Sequence, residues 1–390
     1  MPALLIRGAD VWAPEPLGVT DILSVDEKVV AIGRDLAIPP WAAGRVIEGA
    51  GAVALPGFID QHVHIAGGGG EGGPENRTPE IALTQLTRAG ITTVVGVLGT
   101  DGSTRHVSGL LAKARQLMAE GITAWIYTGA YQVPTRTVTE NPRTDIILID
   151  RVVGVGEIAV SDQRGTHPNA RELAHLAGEA RVGGLLGGKA GVLHIHVGGG
   201  RHGLEALFRV VRDTEVPRRL LVPTHLNRSP RLLDQALLWA RAGGQVDLTT
   251  DIRPTPDDPD AVRAHQAALA LRANGIPWDR LSFSSDAQGS SPLFDDAGRM
   301  VGIGIGSPES LFQEVLALRR AGLSWQEAVS PVTVTPATVL QWPHAGRIGS
   351  GGPADLVLVC DGAIDTVVAR GRVMVEGGRP VVFGRFEARE

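Results

Sequence analysis

From about residue 57 to residue 340, short apolar runs alternate with longer segments of helical spacing, and this constrains the fold more than any other feature. The apolar runs fall at 57–60, 92–97, 124–128, 191–197, 220–224, 245–249 and 281–284; the helical segments fall at 80–89, 106–120, 169–180, 231–242, 259–273 and 307–320. Strands that alternate with helices form parallel βα units. Seven or eight such units in one run predict a distorted (β/α)8 barrel, a fold whose catalytic groups sit at the C-terminal ends of the strands. The flanking regions read as strands alone, at 3–7, 20–25, 28–32 and 45–47 and again at 355–360, 364–369, 372–375 and 380–383. Their shared texture predicts one small β-sandwich domain built from residues 1–56 plus 345–390, beside a barrel at 57–344.

Length and charge remove several function classes. A chain of 390 residues fits a large catalytic domain plus a modest second one. The net charge of −5 gives no nucleic-acid footprint, and the arginines of 201–231 are interrupted by Glu205, Asp213 and Glu215, as on a solvated helix face. Cys360 is the single cysteine, so no internal disulfide forms; within its apolar run it reads as a buried strand thiol. No basic and apolar leader opens the chain, and no stretch reaches the roughly 18 apolar residues of a membrane span. A cytoplasmic location with no membrane partner is expected.

The strongest local signal is Phe58-Ile59-Asp60-Gln61-His62-Val63-His64. Side chains two apart on a strand share a face, so His62 and His64 can meet one cation. Four consecutive glycines, Gly67 to Gly70, follow as a loop over the site. His196, His225 and Asp286 each fall where a later strand should end. His194 also could face the site, and His196 is preferred because it lies at the strand end before Gly198-Gly199-Gly200. Imidazole and carboxylate ligands with an open water position suit zinc, which lowers the pKa of its water and polarises a carbonyl. Asp286 would carry the proton from attacking water to departing amine; its structural alternative is a cap after the strand.

These residues resemble the amidohydrolase superfamily, and more narrowly its isoaspartyl (β-aspartyl) dipeptidases. The resemblance is carried by residues 57–74 (GFIDQHVHIAGGGGEGGP), 94–101 (VVGVLGTD), 128–136 (TGAYQVPTR), 181–189 (RVGGLLGGK), 223–228 (PTHLNR) and 284–290 (SSDAQGS). It implies a two-zinc site, with His62, His64 and Asp286 on one ion and His196 and His225 on the other. A hydroxide shared by the ions would attack the side-chain amide of a β-aspartyl dipeptide. Glu71 would hold the α-amino group, Tyr131 would polarise the scissile carbonyl, and Arg164, Arg228 and Ser290 would hold carboxylates, with Gly69 and Thr100 lining the pocket. A homo-oligomer is also implied.

One departure stands out. The family usually bridges its metals with a carboxylated lysine a few residues before a Ser-Asp-x-Arg segment. Counting back from Asp162 places Glu157 at that position. Glutamate is shorter, so the backbone must approach by roughly 3–4 Å, which a bulge at Gly156 would allow. The expectation is that Glu157 bridges the ions and that no carbon dioxide is needed. Competing readings are a cyclic-amide hydrolase of the dihydroorotase or hydantoinase kind, an N-acyl amino acid deacylase, and a non-catalytic scaffold barrel.

Overall fold

A computed structural model describes residues 1–389 except 257 and 295–298. The chain opens with strands β1 (Pro2–Trp12), β2 (Pro16–Val25), β3 (Lys28–Gly33), β4 (Ala43–Glu48) and β5 (Val53–Pro56). Eight βα units follow. Their strands are β6 (Phe58–Val63), β7 (Ile91–Gly96), β8 (Thr123–Thr128), β9 (Val152–Val160), β10 (Val192–Val197), β11 (Leu221–Thr224), β12 (Val246–Thr249) and β13 (Leu281–Ser284). Their helices are α1 (Leu83–Arg88), α2 (Val107–Glu120), α3 (Pro142–Leu148), α4 (Ala170–Gly187), α5 (Glu205–Asp213), α6 (Pro230–Arg241), α7 (Ala264–Ala273) and α8 (Ser310–Arg320). A hairpin of β14 (Ser290–Phe294) and β15 (Met300–Ile305) is inserted before α8. Two short helices, α9 (Trp325–Val329) and α10 (Val334–Val339), lead to β16 (Leu356–Cys360), β17 (Ala363–Ala369), β18 (Arg372–Glu376) and β19 (Arg379–Pro380).

Strands β6 to β11 form one parallel sheet in sequence order, and β12 pairs with β13. A few backbone bonds close the two remaining seams. Leu226 N donates to Asp247 O at 3.3 Å, His64 N to Ala287 O at 2.9 Å and Asp286 N to His62 O at 3.1 Å. The result is a TIM-like barrel with two loosely bonded seams. Its interior is plugged by Val95, Val97, Tyr127, Val153, Val192 and Val222, packed with Val339 and Leu340 at the end of α10. Side chains two and four residues beyond Val192 on the same strand face are His194 and His196. A buried polar layer includes Asp247, which accepts hydrogen bonds from Gln61, Ser282, Thr224 and Ser284 at 2.5–2.7 Å.

Helix starts follow their caps. Asn169 and Glu172 form a capping box for α4, and Ser229 with Pro230 starts α6. Three helices, α1, α7 and α8, start later than the spacing predicts. Before α1, Ile81 N is drawn to Ile65 O at 3.2 Å. Before α7, Val262 is clamped in an extended stretch, its N bonded to Asn227 O at 2.9 Å and its O to Asn227 Nδ2 at 2.7 Å.

The terminal strands join edge to edge in one nine-stranded sheet, with β5 of the N-terminal group pairing β16 of the C-terminal group. Alternation along β16 and β17 buries both faces. Val357, Val359, Val367 and Ala369 pack with the barrel's helices and strands, whereas Leu356, Leu358 and Val368 pack with Leu4, Ile6, Val11 and Ile22. Among the described residues no helix is long and apolar enough to cross a membrane.

Candidate metal centre

Five strand ends supply the centre. His62 lies in β6 and His64 just beyond it, Glu157 in β9, His196 in β10, and His225 and Asp286 just past β11 and β13. Both His225 and Asp286 hold a left-handed backbone, with φ of +64° and +57°, a conformation costly for residues other than glycine and concentrated at functional sites. The turn after Asp286 is fixed by Gly289 N donating to Asp286 O at 2.9 Å.

Glu157 reaches the centre through a bulge. Between the pairs Leu193–Val155 and Ile195–Ile158, β9 runs one residue more than β10. Gly156 sits in this extra stretch, where a Cβ would lie 2.8 Å from His194 Cβ and 2.9 Å from its carbonyl oxygen. Only glycine lets β9 come this close.

The side chains converge. His64 Nε2 lies 3.4 Å from Glu157 Oε1 and 3.1 Å from Asp286 Oδ1. His62 Nε2 lies 3.5 Å from Glu157 Oε2 and 3.4 Å from Asp286 Oδ1. On the other side, His196 Nδ1 and His225 Nε2 lie 3.2 and 3.7 Å from Glu157 Oε2. The two Glu157 oxygens therefore face different histidines.

These residues fit a cation. His62 Nε2, His225 Nε2, Glu157 Oε1 and Asp286 Oδ1 are buried without a hydrogen-bond partner among the described residues, a costly state unless another group satisfies them. Two triads have ligand atoms within one ion's reach: His62, His64 and Asp286, and His62, Glu157 and His225. Burial alone would raise the Glu157 carboxyl, yet His62, His196 and His225 hold it well below its usual range. Asp286 is likewise held down against burial by His62, His64 and His225, while burial pushes His225 down to about 3. Two buried carboxylates thus stay charged and attract positive charge.

Beside the centre, Glu71 accepts from Thr100 Oγ1 at 2.7 Å and Ser290 Oγ at 2.9 Å, and pairs with Arg164 Nη1 at 3.1 Å. Arg164 spends its other two nitrogens on Asp162, at 3.0 and 2.8 Å, so one nitrogen is left facing Glu71. Tyr131 Oη lies 2.8 Å from His196 Nδ1. Arg228 Nε donates to Val197 O at 3.2 Å. Arg164, Arg228 and Ser290 line one cavity of 280 Å³ with Asp251, Arg253 and Leu293. Gly69 lies apart from that cavity's lining, bridged to Arg77.

The profile described as the Amidohydrolase family matches residues 53–374. The chain belongs to the amidohydrolase family. Among solved structures, this amidohydrolase is similar to a β-aspartyl dipeptidase from Fervidobacterium islandicum AW-1 in complex with β-Asp-Leu dipeptide, at 39% identity and a TM-score of 0.90, covering 99% of this chain and 100% of the other. A D-hydantoinase from Thermus sp. shares the fold, with a TM-score of 0.70 at 16% identity over 98% of this chain and 97% of the other. A dihydroorotase of Lactiplantibacillus plantarum is 24% identical over 91% of this chain and 88% of its own length.

Two further residues of this amidohydrolase touch the expected ligands. Asp162 Oδ2 lies 2.8 Å from His196 Nε2 and also anchors Arg164; its place in Ser161-Asp162-Gln163-Arg164 was the only available signal. Burial would raise its carboxyl, but His196 and Arg164 hold it far below the usual range. His194 was set aside in favour of His196, yet its Nε2 lies 2.7 Å from His62 Nδ1.

Proposed function

We propose that this amidohydrolase cleaves the side-chain amide of β-aspartyl dipeptides with two zinc ions. His62, His64 and Asp286 would hold one ion, His196 and His225 the other, and Glu157 would bridge them. Ions bound there lower the pKa of water toward neutrality and polarise a carbonyl. Asp286 takes the proton from the attacking water and hands it to the amine nitrogen as the C–N bond breaks. Tyr131 donates its hydroxyl hydrogen to the scissile carbonyl oxygen. Glu71 binds the α-ammonium, exchanging its contacts with Thr100 and Ser290. The Arg164 nitrogen that faces Glu71, together with Arg228 and Ser290, takes the two carboxylates, charge-assisted contacts of the strong kind. Thr100, which donates to Glu71, would line the pocket on that side, whereas Gly69 lies apart from the cavity.

The observation that carries this reading is the pairing of charges beside the centre. Among the charges there, which also include Asp251 and Arg253, Glu71 suits the substrate's one ammonium and Arg164 and Arg228 its two carboxylates. Zinc-loaded protein should hydrolyse β-Asp-Leu and leave dihydroorotate intact. The reverse preference would establish the second reading, a cyclic-amide hydrolase, which the full-length likeness to a dihydroorotase favours.

The same reading treats residues 1–56 plus 345–390 as one folding unit, a sandwich made by the terminal sheet folding over its own apolar face, and 57–344 as the barrel. It places the enzyme in the cytoplasm as a homo-oligomer acting on a small dipeptide, with no nucleic-acid or membrane partner.

A further inference from the structure

His194 is fully buried in the barrel, two residues before His196 on the same face of β10. Its ring stacks on Tyr127, with centroids 4.8 Å apart and planes 9° from parallel. Its Cβ abuts the Gly156 bulge that delivers Glu157. The ring is thus wedged from two sides, with Nε2 aimed at His62 Nδ1 2.7 Å away.

A neutral imidazole carries one N–H, and the partner of one nitrogen decides which nitrogen holds it. If His62 Nδ1–H donates to His194 Nε2, the lone pair of His62 Nε2 points between Glu157 and Asp286. In the opposite arrangement a hydrogen sits on His62 Nε2 and blocks that position. Metal-ligating histidines generally have their outer nitrogen fixed by a carboxylate, a carbonyl or water. Here the partner is a second imidazole. It orients His62 without adding a third negative charge to a centre that already buries Glu157 and Asp286. We propose that His194 is a positioning residue that accepts the His62 Nδ1–H and so presents the His62 Nε2 lone pair to the metal.

This inference rests on His62 being a ligand but not on the substrate. The test is zinc affinity, measured by competition with a chromophoric chelator on metal-stripped, full-length protein. His194→Phe keeps a ring against Tyr127 but removes the acceptor, whereas His194→Gln restores one. His194→Phe should weaken zinc binding about 10–100-fold, and His194→Gln should stay within a few-fold of wild type. If His194→Phe fails to fold, His194→Leu takes its place in the same comparison. Phe and Gln variants that bind zinc equally well, or equally poorly, would overturn the proposal. A wild-type chain that takes up no zinc would overturn the centre and the His194 role together. Since zinc affinity is the readout, a wrong substrate assignment leaves the result intact.

Discussion

Glu157 carries the centre's charge balance, because its two oxygens face different histidines. Glu157→Gln keeps the shape and removes the charge. It should drop zinc content from about two ions per chain to about one, measured by elemental analysis, with kcat/KM down about 100-fold or more, beyond what loss of an outer contact costs. Since a glutamate needs no carboxylation, activity in buffer stripped of carbon dioxide should equal that with added bicarbonate; rescue by bicarbonate would show that some other group bridges the ions. Asp286→Asn should retain zinc while turnover falls about 10²–10⁴-fold, the usual worth of a general acid–base group. The residues that meet at this point were legible because strand ends and a two-residue repeat mark which side chains face the barrel mouth. Glu157 was legible by counting from Asp162. The partners of His194 and Asp162 were not, since they lie on other strands: whether His194 meets His62, or Asp162 meets His196, depends on the stagger between strands, which no local pattern encodes.

At the scale of elements, the same contrast separates strands read from apolar runs and strands set by neighbours. Seven of the eight barrel strands stood out as apolar runs; β9, whose Gly154, Gly156 and Glu157 break its run, did not stand out. The β14–β15 hairpin did not, because Ser290, Ser291, Gly302 and Gly304 dilute its pattern, and β5 is too short to read without its partner β16. At that junction Asp355 is buried against the Arg370 backbone, whose N donates to Asp355 Oδ1 at 2.7 Å. Burial raises its carboxyl from 3.8 to about 6, against the opposing pull of Arg370. The folded chain therefore holds a proton that the unfolded chain has lost between these two values. This contribution to stability is fully present below about pH 4, declines as pH rises, and is gone above about pH 6. A shift of roughly 2 units corresponds to about 3 kcal/mol. Asp355→Asn cannot ionise, so the wild type should lose stability relative to it across pH 4–6, followed by denaturant unfolding at each pH. Parallel wild-type and variant curves through that window would show Asp355 to be uncharged or solvated throughout.

Across the whole molecule, the centre draws ligands from β6, β9 and β10 and from the ends of β11 and β13, spanning the seam where few backbone bonds, from His64 N and Asp286 N, join the β6 end to the segment after β13. Ions held there tie together strands far apart in sequence, and they bind only the folded arrangement. Ligand binding of that kind stabilises by RT ln(1 + [L]/Kd), about 4 kcal/mol at a thousandfold excess over Kd. Removing the metal with a chelator should therefore lower the melting temperature by several degrees at pH 8. The size of the drop should itself depend on pH, because an imidazole must be neutral to bind metal and protons compete for it. As pH falls through the ordinary histidine range near about 6.5, the metal's share of stability should shrink, so that at pH 5 the chelated and loaded proteins melt close together. Acid loss from Glu157 and Asp286 runs in the same direction but at lower pH, since their depressed carboxyls keep contributing to the metal-free fold until the pH drops below the normal carboxylate range. Scanning calorimetry with and without chelator from pH 8 to pH 5 separates the two. A chelator effect that is absent at pH 8, or constant down to pH 5, would mean that histidines do not hold the ion and that the buried acids are satisfied in another way.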